Sequence, residues 1–241
     1  MISLRPGGLC GEIFLFDGFD SMNRYLIIGC GFFGRRALRK LLEKDPAAKI
    51  HVVDKDEEAI RAIAHLPVEA SVEEGVSFLS RCLHQNRNGY VVPAVPIHLA
   101  FEFILSRARK YGWHRGRVPS LPGLPNTVRG EKGDLFTSMA AFHCPDNCPE
   151  PPRHCTVTGE KRSKPLYRIL RNLPNTLPSR VIRSRQLGPG VGGFKAKELL
   201  NLLEELQGIK LPGQPVLIST ACRCHGVTSA LTFQRFQRSK A

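Results

Sequence analysis

Two sets of residues in this 241-residue chain have the types and spacing that chemistry needs. The first is Gly29-x-Gly31-x-x-Gly34, set between the apolar run Arg24-Tyr-Leu-Ile-Ile and a helical pattern from Arg35 to Lys44. In such a loop the first glycine permits a tight turn and the second lets the backbone approach a pyrophosphate. The third lets helix and strand pack closely. The helix start adds N–H groups without helical partners and the positive end of its dipole. The second set is Cys144-x3-Cys148-x6-Cys155, with Cys222-x-Cys224-His225 near the C-terminus. Thiols clustered this way in a reducing compartment are more often metal ligands than disulfides.

Each set has a further reading. Asp54 lies 20 residues beyond Gly34, at the end of the next apolar run, Lys49-Ile-His-Val-Val-Asp54. A carboxylate there accepts hydrogen bonds from ribose hydroxyls and repels a 2′-phosphate, which favours NAD(H) over NADP(H); the neighbouring Lys55 softens that choice. The expected cofactor contacts are therefore Gly29, Gly31, Phe32, Phe33, Gly34, Asp54 and Lys55. Cys30 sits inside the loop, where a helix N-terminus would lower its pKa. Three thiolates from Cys144, Cys148 and Cys155, with a fourth ligand from Cys222, Cys224 or His225, would complete a zinc or a [4Fe–4S] site. The Cys144-Pro145 and Cys148-Pro149 steps, and the lack of a Cys-x-x-Cys pair, put iron–sulfur ahead of zinc.

The elements that must hold these residues follow from the pattern of apolar positions. Strands at Arg24–Gly29, Lys49–Asp54 and Tyr90–Pro93 alternate with helices at Arg35–Lys44, Asp56–His65, Val76–Leu83 and Ile97–Lys110. That alternation calls for a parallel sheet with right-handed crossovers. From Tyr111 to Pro165 the periodicity stops, and prolines and cysteines replace it. A segment that long without a pattern needs a staple other than an apolar core. The pattern resumes with a strand at Arg180–Leu187, a glycine-rich turn at Gly188–Gly193, a helix at Lys195–Gln207 and a strand at Pro215–Thr220. The turn could hold a second phosphate beside Lys195 and Lys197, but a tight turn with helix-start glycines is the better reading.

The expected fold class is α/β, a doubly wound, Rossmann-like parallel sheet with an irregular Cys/Pro-rich insertion. The expected divisions are 1–21, an extension or a misplaced start before Met22; 22–110, the dinucleotide-binding half; 111–165, the metal-stapled insertion; and 166–241, the completion of the sheet. If Pro215–Thr220 joins that sheet, Cys222 and Cys224 emerge on its ligand-binding side.

Tyr25-Leu-Ile-Ile-Gly-Cys-Gly-Phe-Phe-Gly-Arg-Arg and His51-Val-Val-Asp-Lys-Asp-Glu-Glu-Ala-Ile resemble the TrkA-N (RCK) family. The resemblance covers roughly residues 24–110. It implies a cytoplasmic NAD(H)- or nucleotide-binding domain of the kind that regulates potassium transport, with Gly29, Gly31 and Gly34 as phosphate loop and Asp54 as ribose ligand. The family carries Gly-Asp after its third strand, where this chain offers Glu69-Ala70, and the family's second domain is not recognisable here.

Composition narrows the function classes. With 42% hydrophobic and 23% charged residues the chain is that of an ordinary globular protein, and no apolar run is long enough to span a membrane. The formal net charge is +14, and Arg107 to Arg185 holds 16 lysines and arginines against five acidic residues, a field that draws anions. Three functions are compatible: an NAD(H)-binding redox or ligand-sensing regulator, an NAD-dependent iron–sulfur oxidoreductase, and a zinc-stapled nucleic-acid-binding protein. His98, His114, His143, His154 and His225 have no partner at short spacing, so no general acid or base can be assigned. Aromatic residues are only 7% of the chain, which argues against base stacking. The first function needs the fewest unseen residues. Its expected partners are a dinucleotide, an anionic small molecule, a transporter or redox partner protein and further copies of the chain.

Overall fold

The computed structural model describes residues 23–162, 164–174, 178–208 and 214–233, so the expectation for residues 1–21 lies outside the described residues. In chain order the elements begin with β1 (Arg24–Ile28), α1 (Phe32–Lys44), β2 (Lys49–Asp54), α2 (Glu57–Arg61), β3 (Glu69–Val72) and α3 (Gly75–Cys82). Next come β4 (Tyr90–Pro93), α4 (Leu99–Ala108), β5 (Trp113–Gly116), β6 (Thr127–Arg129), β7 (Leu135–Ser138) and α5 (Leu166–Arg171). The last are β8 (Ser179–Arg183), β9 (Arg185–Gly188), β10 (Val191–Lys195), α6 (Ala196–Gly208), β11 (Val216–Ala221) and β12 (His225–Phe233). The protein is mixed α/β and forms two compact units: one runs to Leu99 and includes Arg185–Leu200, and the other holds Ala100–Ser184 and the residues from Asn201 onward.

The first unit is built on a six-stranded sheet in the order β3-β2-β1-β4-β10-β9. β3, β2, β1 and β4 run parallel, whereas β10 joins β4 antiparallel and β9 joins β10 antiparallel. The central strands carry unbroken apolar runs because both faces are covered: Leu26, Ile27, Ile28, Val52 and Val53 are buried. Helix α1 turns Gly34, Ala37, Leu38 and Leu41 inward, the face that its spacing predicts.

Two helix starts in this unit are capped by side chains. Asp56 accepts from the N–H groups of Glu58 and Ala59, and Glu74 accepts from those of Val76 and Ser77 at 3.0 and 2.8 Å. Partial burial works against the Glu74 carboxylate. The two N–H donors, the Ser77 hydroxyl and Lys55 together outweigh it and hold the carboxyl below its ordinary value. Its contribution is thus complete above the unfolded carboxyl pKa and fades as pH falls through the lower native one. Glu74→Ala is expected to cost about 1 kcal/mol at neutral pH, measured by urea unfolding. The difference from the parent protein should shrink towards acid pH.

The second unit holds a sheet in the order β6-β7-β12-β11-β8. β12 is long enough to have two partners on one side: His225–Thr228 pairs with β7, and Ala230–Phe233 pairs with β5. β11 and β12 form a hairpin whose turn is Cys222-Arg-Cys224. Its core includes Val118, Leu121, Leu135, Leu217 and Ala230, and beside it Leu166, Tyr167, Leu170 and Ala221.

The structure departs from the sequence expectations at several points. The two sheets are each partly antiparallel, so a single parallel sheet does not describe the chain. β3 appears where no strand was expected, and Glu69-Ala70 lies inside it rather than after it. α2 is a five-residue helix, shorter than Asp56–His65. The expected strand Arg180–Leu187 is two strands of different sheets, divided at Ser184, whose N–H donates to Ala221 O at 2.9 Å. Gly188–Gly193 is the β9–β10 hairpin and not the start of a helix. Gly190 has a φ of +69°, and a Cβ on Gly193 would lie 2.9 Å from Val91 O, so close approach to β4 accounts for that glycine. β5, β6 and β7 interrupt the segment 111–165. β11 belongs to the second sheet, which removes the argument that placed Cys222 and Cys224 at the ligand-binding end of the first.

Candidate functional site

The glycine loop stands where β1 gives way to α1. Gly29 has a φ of +105°, and a Cβ on it would lie 2.5 Å from Ala94 O. A Cβ on Gly34 would lie 1.9 Å from Gly29 O. Both glycines are therefore demanded by the protein's own backbone. Gly31 is different: a Cβ there would meet no atom within 4 Å, and its φ of −69° suits any residue. No packing contact accounts for Gly31.

Gly31 is also the N-cap of α1, where no side chain caps the helix and no acidic residue occupies the first turn. The first N–H groups of a helix have no intrahelical acceptor. Arg35 follows in the first turns. Phe32 and Phe33 stand beside the loop, 66% and 65% exposed, with their rings edge to face at 5.3 Å. Leaving two phenylalanines in water forgoes stabilisation that burial would supply.

Asp54 closes β2 beside the loop. Its Oδ2 accepts the Cys30 N–H at 2.5 Å and its Oδ1 accepts the Asp56 N–H at 2.9 Å. A carboxylate offers about four lone-pair sites, so Asp54 orients the loop and retains accepting capacity. Lys55 is exposed and acts on Glu74. Cys30 does not behave as the helix start suggested. Its thiol is fully buried, donates to Ala59 O at 3.2 Å, and is pushed up by burial, against the pull of Arg35 and with the added push of Asp54 and Asp56.

In the second unit the cysteines fall on turns rather than on regular elements. A small hairpin is tied by Arg162 N–H to Arg153 O at 2.8 Å and Cys155 N–H to Glu160 O at 2.9 Å. At its tip the N–H groups of Val157 and Thr158, with the Thr158 hydroxyl, hold the Cys155 thiol below its ordinary value. The β11–β12 turn repeats the arrangement: the N–H groups of Cys224 and His225 donate to Cys222 Sγ at 3.4 and 3.3 Å. Glycine follows four residues after each cysteine, Gly159 and Gly226. Helix α5 anchors the second turn, with Leu166 N–H donating to Arg223 O and Tyr167 N–H to Cys222 O.

His225 lies between two sulfurs. Its Nε2 is 3.6 Å from Cys144 Sγ and its Nδ1 is 3.9 Å from Cys222 Sγ. Much of the residue is open to solvent, yet burial of the ring keeps its pKa below the ordinary value, with Arg162 acting the same way and Glu150 opposing. Burial pushes the Cys222 thiol up to about 12, reinforced by the Glu150 carboxylate. Cys144 is raised by burial and by neighbouring Cys148 and Cys155, with Arg162 opposing. Cys224 takes the guanidinium of Arg162 on its sulfur and is raised chiefly by burial. Cys148 lies 3.8 Å from Thr156 Oγ1.

Sequence reading thus finds residues that the fold gathers in one region of the second unit. Among the described residues, no three His, Cys, Asp or Glu side chains stand close enough about one point to be holding a metal as they are. Glu150, Arg162 and Arg223 went unnoticed in the sequence. Glu150 accepts the Arg223 N–H at 2.5 Å, and Arg223 itself donates to Pro152 O. The legible signal was Cys222-x-x-His225-Gly226, five residues that place a thiol and an imidazole three positions apart.

Residues 99–234, more than half of the chain, match the AF_1314_C family, described as "Uncharacterized protein, C-terminal domain". The chain belongs to this family. The matched span begins with α4 and runs through β12, and it contains every cysteine of the second unit. The chain is also similar to an "Uncharacterized protein" of Archaeoglobus fulgidus, 28% identical over 220 residues that cover 86% of this chain and 98% of that one. No solved structure matches the chain. Among the described residues, no helix is long and apolar enough to cross a membrane.

Proposed function

We propose that the first unit is a Rossmann-like, NAD(H)-binding module of the TrkA-N (RCK) kind. On this reading the family domain carries a Cys-ligated metal centre, and the protein works as a redox or ligand-sensing regulator. The observation that carries the reading is the contrast within the loop: Gly29 and Gly34 are required by backbone contacts, whereas Gly31 faces open space at an uncapped helix start. The parallel order β3-β2-β1-β4 supports it, because it is the order of a dinucleotide-binding half. The N–H groups at the start of α1 would hold the pyrophosphate, the open side of Gly31 would admit it, and Asp54 would accept from the ribose hydroxyls. Exposed Phe32 and Phe33 offer apolar walls beside that path. Bound NAD(H) would supply hydride exchange or act as the sensed ligand. The chain's own residues bind and orient it.

The test is fluorescence titration of the full chain with NADH and with NADPH. Saturable binding that favours NADH is expected. Asp54→Asn retains an acceptor for the Cys30 N–H but removes the charge that repels a 2′-phosphate. It should reduce the preference for NADH about tenfold, equivalent to roughly 1.4 kcal/mol. Absence of saturable binding by either dinucleotide would overturn the reading.

A further inference from the structure

We infer that Cys144, Cys155, Cys222 and His225 form a closed, four-ligand zinc site that staples the second unit. The inference rests on the metal-centre part of the proposed function and specifies its metal and ligands.

The first argument is the pair of matched turns. Cys155 and Cys222 each sit at a hairpin turn and each is followed by glycine at the fourth position, and the Cys222 sulfur receives the N–H groups two and three positions on. N–H donors converging on a sulfur hold it in a fixed direction. A structural turn has no need of a sulfur at that point. Two such turns in one unit present two cysteines, one of them with its sulfur already oriented.

The remaining ligands come from the geometry around His225. In a tetrahedral site with Zn–S near 2.3 Å and Zn–N near 2.0–2.1 Å, neighbouring sulfur and nitrogen ligands lie roughly 3.6 Å apart. Cys144 Sγ lies at that distance, 3.6 Å, from His225 Nε2, whereas Cys222 Sγ is 3.9 Å from the other ring nitrogen, Nδ1. One ring nitrogen would ligate, and the backbone already brings its turn beside Cys144. Ligation by all four residues therefore requires the His225 ring and the cysteine side chains to change rotamer, because among the described residues no three such groups now surround one point. The proposed set leaves out Cys224, whose sulfur Arg162 engages, and Cys148, whose sulfur lies 3.8 Å from Thr156 Oγ1.

The metal follows from the ligand set. Cys-Pro steps by themselves point to iron–sulfur, but a [4Fe–4S] cluster takes four cysteines, whereas three thiolates and an imidazole make a closed zinc site. The segment also needs a staple. Between Ala141 and Lys164, Cys155 is the single buried residue among those described, so no apolar core holds this stretch. Zinc binding would release the thiol protons and convert its binding free energy into folding free energy.

The test is metal and sulfide analysis of the full chain purified without oxygen, followed by cobalt(II) titration of the zinc-stripped protein. One zinc per chain without sulfide is expected, with one equivalent of cobalt giving tetrahedral ligand-field bands and the charge-transfer intensity of three thiolates. Cys144→Ser, Cys155→Ser, Cys222→Ser and His225→Ala should each weaken zinc binding at least about 100-fold. Cys148→Ser and Cys224→Ser should keep stoichiometric zinc. Where a serine variant does not fold, the cobalt spectrum of the parent chain decides the ligand set: four-thiolate intensity would overturn it. Iron with sulfide would overturn zinc while leaving a metal centre in place. A chain that binds neither zinc, cobalt nor iron would overturn the metal centre altogether.

Discussion

Gly34→Ala is expected to unfold or severely weaken the first unit, whereas Gly31→Ala is expected to fold normally and lose NADH. At Gly34 the new methyl would meet Gly29 O at 1.9 Å, and both partners of that clash are backbone. No side chain can rotate away, so relief requires α1 to shift off β1, where Ala37, Leu38 and Leu41 contribute to the core. Overpacking of this sort costs about 1–3 kcal/mol where side chains can adjust, and a rigid backbone contact belongs at or above the upper end. At Gly31 the methyl meets nothing within 4 Å and the backbone angles are ordinary. The only protein cost is a poorer N-cap, about 1 kcal/mol or less. The same methyl would stand where the proposed pyrophosphate approaches, so NADH affinity should fall at least about tenfold, or roughly 1.4 kcal/mol. Paired urea unfolding and NADH titration separate the two effects. A Gly31→Ala protein that binds NADH like the parent would show that the open space belongs to no dinucleotide. A Gly34→Ala protein as stable as the parent would show that α1 is not seated on the loop as described.

What the sequence disclosed of the fold depended on how completely each strand is buried. β1, β2 and β4 are legible because central strands covered on both faces carry unbroken apolar runs, as in Leu26-Ile-Ile28 and Val52-Val53. β3 lies at the sheet edge with Glu69 and Val72 exposed, and Glu-Ala-Ser-Val has no period to detect. β12 was missed for the opposite reason. Its Thr228 and Ser229 are buried yet polar, and they are satisfied from within: Thr228 shares a 2.8 Å hydrogen bond with Ser219, and Ser229 donates to Asp134 at 2.5 Å. A buried strand whose polar residues pair with one another looks like a loop in one dimension. Ser184 illustrates a third limit. The run Arg180–Leu187 is continuous in character, and only its neighbours decide that its two halves serve different sheets.

The candidate sites were legible to the degree that they are local. Gly29, Gly31, Gly34 and Asp54 could be named from spacing because a strand, a turn and a helix of fixed lengths bring them together. The cysteines could be named but not sorted. Which of Cys222, Cys224 and His225 faces Cys144 depends on the side of the β11–β12 turn that each occupies. Arg162, distant in sequence, takes Cys224 for itself. Cys30 shows that the same chemistry can be cancelled by packing: the helix start is close, but a fully buried sulfur beside Asp54 and Asp56 is disfavoured as a thiolate.

Arg115→Ala should be among the most destabilising single changes in the second unit, costing about 3 kcal/mol. The guanidinium donates to Asp134 Oδ1 at 2.8 Å and to Glu102 Oε1 at 2.5 Å, and it lies over the Phe101 ring at 4.5 Å. Asp134 Oδ1 also accepts from Ser229 on β12, so one side chain links α4, β5, the start of β7 and β12. The three side chains are only 11–21% exposed. Removing a buried cation that pairs two carboxylates leaves both uncompensated, for which about 3–5 kcal/mol is typical when burial is complete. Residual exposure lowers the figure, and loss of packing on Phe101 raises it. Arg115→Met, which keeps the stem, should recover the packing share and not the ionic one. A double-mutant cycle with Glu102→Gln should give a coupling of roughly 0.5–3 kcal/mol that added salt diminishes only weakly, because the pair is shielded from solvent ions. If Arg115→Ala unfolds within 0.5 kcal/mol of the parent, the range ordinary for unlinked surface changes, the network is incidental. The β12 register would then rest on its backbone ladder and on Ser219–Thr228 alone.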